Sequence, residues 1–216
     1  MYTFEVLSFL SFGGWIYLIF FHGRKVISSE KYYWDSKTLF DDLILTNVKE
    51  SKDRVCVIIP ARNEEDSIKE TLENLINVCD AENVFILIID DNSIDNTARK
   101  ARKILSSSSI KFKILNGKKL PSEWTGKVWA LKQGVDFANL KKFDYFLFMD
   151  SDIILEKGII TDVKNFLKSN DLVMVSLMAK LKCDNFWEKL LIPSFILFFQ
   201  QIYPFNQINS PNSKKA

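Results

Sequence analysis

Apolar residues follow several patterns along the chain, and each predicts a different element. Met1 to Phe21, MYTFEVLSFLSFGGWIYLIFF, is apolar almost throughout and carries one charge, Glu5. A helix needs about 20 mostly apolar residues to cross a bilayer, so residues 1–22 are expected to form a transmembrane anchor. Arg24 and Lys25 follow at once. The positive-inside rule then puts the rest of the chain on the cytoplasmic side of the membrane. A cleaved signal peptide would carry basic residues before the apolar run and small ones at its end, and neither is present. Residues 23–53 read as a polar connector, part of which packs on the domain through Trp34, Leu39, Phe40, Leu43, Ile44 and Leu45.

From Arg54 the pattern alternates. VCVIIP, VFILIID and YFLFM are short apolar runs, rich in β-branched or aromatic residues, and read as buried strands. IKFKIL alternates like a strand with one wet face, and LVMVSL at 172–177 reads as a last strand. Helical spacing fills the gaps. Ile68, Leu72, Leu75, Ile76 and Cys79 share one face over 64–79, and Val128, Leu131, Val135 and Ala138 form a stripe after Thr125. A charged helix over 95–105 starts near a cap at Asn92, Ser93 or Asp95. Another is expected over 157–167. This order predicts an α/β domain at 54–185, a mainly parallel sheet flanked by helices. Leu190 to Phe205 is apolar but short and contains Pro193 and Pro204. Residues 186–216 are therefore expected to be an interfacial amphipathic segment with a polar tail. The alternative is a core helix.

Composition narrows the chemistry. Lysine and arginine number 29 against 27 acidic residues, for a net charge of +2, too weak a field to argue for nucleic acid. Cys56, Cys79 and Cys183 are far apart and form no C-x-x-C pair, so neither a disulfide framework nor a zinc site is expected. Cys56, inside a strand-like run, reads as a small core residue. The one histidine, His22, closes the first apolar run and supports no triad.

Ligands of open α/β sheets bind beyond the carboxyl ends of the strands. Pro60-Ala61-Arg62-Asn63-Glu64-Glu65 follows the first strand, Asp90-Asp91-Asn92-Ser93 the second, and Asp150-Ser151-Asp152 the fourth. One acidic cluster could be a helix cap, but that does not account for all three. Two carboxylates so close at a buried strand end repel unless a cation joins them. Hard oxygen ligands suit Mg²⁺ or Mn²⁺, which also take phosphate oxygens. Lys127 lies in the first turn of a helix, where free N–H groups favour anions. It belongs to no Walker A loop, because Val128 stands where Ser or Thr is needed. Arg99, Lys100, Arg102 and Lys103 read as a solvated helix face.

VCVIIPARNEEDSIKETLENL, LIIDDNSIDNTA, GKVWALKQG and FLFMDSDI, in that order, resemble family 2 glycosyltransferases of the GT-A fold. LPSEWTGKVWA, the leading run ending in HGR, and SLMAKLKC before LIPSFILFFQQIYPFN resemble the bacterial hopene-associated subfamily. The resemblance implies that Pro60, Ala61, Asn63 and Glu64 line a nucleotide pocket. It implies that Asp91 binds uracil or ribose with Asp90 beside it, and that Lys127 lies near the diphosphate. Asp150 would sit on the ribose side and, with Asp152, at the metal.

The implied activity is inverting transfer from a nucleotide-diphosphate sugar, most simply a UDP-sugar, to a lipid-like acceptor at the cytoplasmic membrane face. Inverting transfer needs a base for the acceptor proton. Family members carry it in a later E-D-type motif, which is not found before Ala216. The chain is thus expected to be the N-terminal part of such an enzyme, with a catalytically incomplete nucleotide-sugar-binding domain as the alternative. A nucleotidyltransferase, the second alternative, would want a glycine-rich basic loop after the first strand.

Overall fold

The computed structural model describes residues 2–17, 20 and 53–203. The connector up to residue 52, with Arg24, Lys25 and the expected packing residues Trp34 to Leu45, lies outside the described residues, as do His22 and the tail beyond residue 203. The chain divides into two compact units, residues 47–175 and residues 1–46 with 176–216.

In the first unit the apolar runs become strands because each finds a neighbour to bond. β1 (Val55–Ala61), β2 (Val84–Asp90), β3 (Lys111–Asn116) and β4 (Tyr145–Phe148) form one sheet in the order β3-β2-β1-β4. Every pairing is parallel. Parallel strands need crossovers, and helices α2 (Ile68–Val78), α3 (Thr97–Ser106) and α4 (Gly126–Leu140) supply them. α5 (Ile159–Ser169) follows β4.

Strand alternation sends side chains to two cores. Val57, Ile59, Ile86 and Ile88 meet Ile68, Leu72 and Leu75 of α2 and Ala101 and Leu105 of α3. Cys56, Ile58, Leu87 and Ile89 meet Ala130 and Ala138 of α4 on the other face. Each isoleucine or leucine fully buried this way stabilises the fold by about 1.5–3 kcal/mol. Cys56 is the core residue expected, and burial pushes its thiol up to about 12, which leaves it without thiolate chemistry.

Two sheet-domain expectations change. Residues 172–177 form no strand, and Val173 and Met174 are exposed. An apolar run becomes a strand only beside a bonding partner, and none of the four strands pairs with it. In α4 the buried residues are Ala130, Gly134 and Ala138, while Val128 is exposed. The helix meets the sheet most closely by these small residues, with Leu131, Val135 and Phe137 half-buried against the same core.

In the second unit, α1 (Tyr2–Tyr17) is a 16-residue helix. The expected transmembrane anchor is not borne out. Sixteen residues rise roughly 24 Å at 1.5 Å each, short of the ~30 Å hydrocarbon core. No described helix is long and apolar enough to cross a membrane. The membrane localisation and single-anchor topology built on that reading are withdrawn with it.

α6 (Phe186–Ile202) spans most of the last apolar segment. Its N-terminus is a capping box. The Asn185 side chain accepts from the Glu188 N–H at 2.9 Å, and the Glu188 carboxylate accepts from the N–H of Asn185 at 3.1 Å. The N–H of Asn185, then that of Asp184, which donates to Glu188 Oε2 at 2.7 Å, holds the Glu188 carboxyl below its usual range.

Candidate functional site

The strand order fixes where a crevice can open. The chain steps outward from β1 to β2 and β3, then returns to place β4 on the other side of β1. The crossovers therefore diverge between β1 and β4, and such a switch point leaves a cleft beyond the carboxyl ends. All three acidic clusters lie at that edge, after Ala61, Asp90 and Phe148.

The first two clusters largely hold each other. Asn63 and Asn92 turn the chain out of β1 and β2 with φ of 55° and 57°. Asparagine tolerates this left-handed region better than most residues. The Asn63 N–H donates to Ser93 Oγ at 3.0 Å, and its Oδ1 accepts from the Ile94 N–H at 2.9 Å. The N–H of Glu64 donates to Thr97 Oγ1 at 2.8 Å and that of Glu65 to Asp95 Oδ2 at 3.1 Å. In return the Glu65 carboxylate accepts from the Asn96 N–H at 3.1 Å and pairs with Lys100 Nζ at 3.0 Å. The Asn96 N–H, then the Lys100 ammonium, holds the Glu65 carboxyl below its usual range. The Thr97 hydroxyl does the same, foremost, for Asp95.

Several expectations are refined here. Asn63 spends its side-chain oxygen on the neighbouring loop, and Glu64 accepts from Ser67 Oγ at 2.5 Å. Lys100 is a loop-to-helix tether and not a solvated face residue. The cap of α3 falls at Asn96, one residue beyond the expected range.

Asp90 and Asp91 diverge in role. Asp90 Oδ1 accepts from the Ser93 N–H at 3.1 Å, closing the turn after β2. The N–H of Asp91 donates to Ala61 O at 2.8 Å, which carries the β1–β2 ladder one residue further. The Asp91 side chain meets Arg62 Nη1 at 3.6 Å, although the residue is only 7 % exposed.

Two glycines close around Asp91. A Cβ on Gly126 would lie 3.2 Å from Asp91 Oδ2, and one on Gly117 would lie 2.9 Å from Asp90 O and 3.4 Å from Asp91 Oδ1. The Gly117 N–H donates to Asp90 O at 2.7 Å. Arg62 and Gly117 were not singled out from the sequence. A glycine directly after a predicted strand was the available signal for the second.

On the β4 side, Lys127 Nζ lies 2.6 Å from Asp150 Oδ1, with both side chains about half exposed. The pair joins the N-terminus of α4, where free N–H groups favour anions, to the loop after β4. Asp152 is exposed and has no hydrogen-bond or ion-pair partner among the described residues. Pro60 is half-buried within β1, in register with Ile89. The structure thus brings Ala61, Asp90, Asp91, Gly117 and Gly126 together, and joins Lys127 to Asp150.

The donor set can be tested against a divalent ion. Among the described residues no three metal-ligating side chains cluster. Mg²⁺ and Mn²⁺ in phosphate-handling sites are commonly held by one or two carboxylates with substrate phosphates completing the shell. Asp150 and Asp152 fit such a shared site, though not an all-protein cage.

Comparison with known proteins gives the assignment. Residues 56–214 match the family model "Glycosyl transferase family 2". The chain is 33 % identical over 103 residues to poly-beta-1,6-N-acetyl-D-glucosamine synthase of Staphylococcus aureus, covering 48 % of this chain and 23 % of that protein. It is 24 % identical over 153 residues to the Staphylococcus epidermidis synthase of the same name, covering 70 % of this chain and 34 % of that one. The match thus spans about a quarter to a third of these relatives' length.

Among solved structures, S. aureus TarS 1–349 in complex with UDP-GlcNAc aligns with a TM-score of 0.43 at 24 % identity, covering 55 % of this chain and 32 % of that one. The mannosyltransferase PcManGT from Pyrobaculum calidifontis aligns with a TM-score of 0.46 at 18 % identity, covering 67 % and 43 %.

The chain belongs to glycosyl transferase family 2, and its parallel sheet flanked by helices is the GT-A-type α/β fold expected for a glycosyltransferase domain of that family. This decides against the nucleotidyltransferase alternative.

Proposed function

We propose that this family 2 glycosyltransferase domain holds a nucleoside diphosphate sugar at the carboxyl edge of β1, β2 and β4. The observation that carries this reading is the 2.6 Å pair of Lys127 and Asp150. It sets a cation at a helix N-terminus beside an acidic loop, and leaves both groups half exposed to a ligand. Asp91 and Arg62 supply the other end. Asp91, in the cleft between two glycines, suits the hydroxyl or imide hydrogens of a nucleoside, which a carboxylate accepts. Lys127 and the first N–H groups of α4 suit the diphosphate.

Asp91, Asp150 and Asp152 outnumber Arg62 and Lys127 by one charge. With a diphosphate added, that excess favours a divalent cation, for which Asp150 and Asp152 are the ligands. Mg²⁺ or Mn²⁺ bound there would neutralise charge on the departing diphosphate. Asn63, Glu64 and Asp90 serve as the frame that fixes Asp91, and Pro60 and Ala61 form the wall at the end of β1.

UDP is the nucleotide to test first, on the sequence resemblance, and UDP-N-acetylglucosamine the first sugar donor, on the names of the staphylococcal relatives. For the acceptor, the resemblance is the support for a lipid-like molecule and for a place in hopanoid metabolism. Isothermal titration of UDP into the full chain, with Mn²⁺ and with EDTA, tests the donor site. Binding should strengthen with Mn²⁺, and Asp152→Asn should remove that gain. A gain that survives in Asp152→Asn would rule out the metal assignment.

A further inference from the structure

We propose that Thr71 and Asn74 of α2 are positioning residues that hold the Asp150-Ser151-Asp152 loop in the geometry its carboxylates need. The inference rests on the donor-site reading above and adds to it the part of the fold that fixes the metal-side loop.

Both residues are poor choices for a helix interior. Threonine and asparagine rank low in helix propensity, because their short polar side chains compete for nearby backbone groups. A mid-helix threonine commonly bonds the carbonyl four residues back. Thr71 does not do so. It is 1 % exposed, and its Oγ1 donates to Ser151 O at 2.8 Å, 80 residues further along the chain. Asn74 lies three positions on, so it shares that face of the helix. It uses both ends of its amide on one residue. Its Nδ2 donates to Leu155 O at 3.0 Å, and its Oδ1 accepts from the Leu155 N–H at 2.8 Å.

These bonds replace a missing strand neighbour. β4 ends at Phe148, and one more bond, from the Met149 N–H to Ile58 O at 3.2 Å, extends its pairing with β1. Beyond that point the chain has no ladder to hold it. Thr71 takes the carbonyl of Ser151, and Asn74 takes both backbone groups of Leu155. Met149, Ile153 and Leu155 join the core on the α2 side.

Burial along the loop alternates. Met149 and Ser151 are buried, and Asp150 and Asp152 between and beyond them are exposed. The Thr71 bond therefore lands on the one residue between the two carboxylates. Octahedral Mg²⁺ or Mn²⁺ tolerates little error in ligand position, and ligand sites generally need their groups held to within about 0.5 Å. Loosening this loop should therefore cost metal-dependent binding far more than nucleoside binding at Asp91, which sits on other loops.

The test uses the full chain and UDP as probe, titrated with Mn²⁺ and again with EDTA. Thr71→Val keeps the shape and removes the donor, Thr71→Ser keeps the donor, and Asn74→Leu removes the second anchor. Groups that orient metal ligands typically contribute about 10- to 100-fold in metal affinity. Thr71→Val and Asn74→Leu should each weaken Mn²⁺-dependent UDP binding by about tenfold or more, on that scale. Both should leave metal-free UDP binding near wild type, and Thr71→Ser should restore the loss.

A merely structural role would lower both kinds of binding together and would overturn the inference. So would unchanged Mn²⁺-dependent binding in folded Asn74→Leu, which keeps the test open should Thr71→Val fail to fold. If wild type itself shows no Mn²⁺-dependent UDP binding, the donor-site reading fails, and this inference falls with it.

Discussion

Gly134 lies where α4 crosses the sheet, and replacing it with alanine should reverse a familiar effect. In an exposed helix, glycine to alanine stabilises by about 1 kcal/mol. Here a Cβ would stand 2.6 Å from Ile58 Cγ2 and 2.9 Å from Ile89 Cδ1. Ordinary carbon contacts lie at about 3.5–4.0 Å, so the shortfall is about 1 Å at the nearer atom.

Both isoleucines are fully buried, so neither can swing into solvent. Either α4 retreats or the isoleucines leave their rotamers, and such overpacking costs about 1–3 kcal/mol. Set against the propensity gain, Gly134→Ala should be destabilising by about 0–2 kcal/mol. Urea unfolding of wild type and variant measures this. Ile89→Val, which removes the clashing Cδ1, should make the double variant less unstable than the sum of the two single changes. The displaced helix also carries Lys127 in its first turn, so UDP binding should weaken as well. A Gly134→Ala protein about 1 kcal/mol more stable than wild type would refute the close-packing argument.

Lys127→Met should weaken UDP binding while changing urea stability by less than about 1 kcal/mol, because an ion pair with both partners half exposed contributes little to folding. A large loss of stability with intact binding would make the pair a structural one. The loop staple should be acid-sensitive. Glu65 and Asp95 are held below their usual range. Their contribution is therefore full above the unfolded values of about 4.3 and about 3.9, and is lost as pH falls through the depressed folded values. Amide protection at residues 63–65 and 94–97, relative to the intrinsic exchange rate, should fall below about pH 4, and Glu65→Gln should flatten that dependence. Protection that stays constant through this window would show that the carboxylates do not hold the loops.

The sheet was legible because buried parallel strands leave a simple trace, a short apolar run stopped by polar residues. That trace located β1, β2 and β4, and the alternation of IKFKIL located β3. The apolar trace also produced a false fifth at 172–177, since an apolar run says nothing about whether a bonding neighbour exists. The face of α2 was readable from Ile68, Leu72 and Leu75. The face of α4 was readable in part: Leu131, Val135 and Ala138 pack on the core, Val128 does not, and Gly134 at the closest contact carries no hydrophobic signal. The first apolar run read correctly as a helix. Its span did not, since α1 covers 16 residues where about 20 are needed.

At the site, residue type alone could not divide the labour among the acidic residues. Aspartate, asparagine and glutamate serve equally well to close a turn and to meet a ligand, since both tasks need short-range oxygen acceptors. Geometry separates them. Glu64 and Asp90 accept bonds within their own loops, and Glu65 and Asp95 accept bonds from each other's. Among the described residues Asp150 meets only Lys127, and Asp152 has no partner. Asp91 stands between the groups, nearly buried yet bounded by two glycines and an exposed cation, Arg62.

On the proposed reading the donor site has two walls. One wall, from β1 and β2, is locked by at least five loop-to-loop bonds before any ligand arrives. The other, from β4, is held by α2 and a half-exposed ion pair. A ligand that inserts phosphate between Lys127 and Asp150 changes the second wall and leaves the first intact. Nucleoside recognition should therefore be preorganised, and the diphosphate side should be where binding, metal and any rearrangement are coupled.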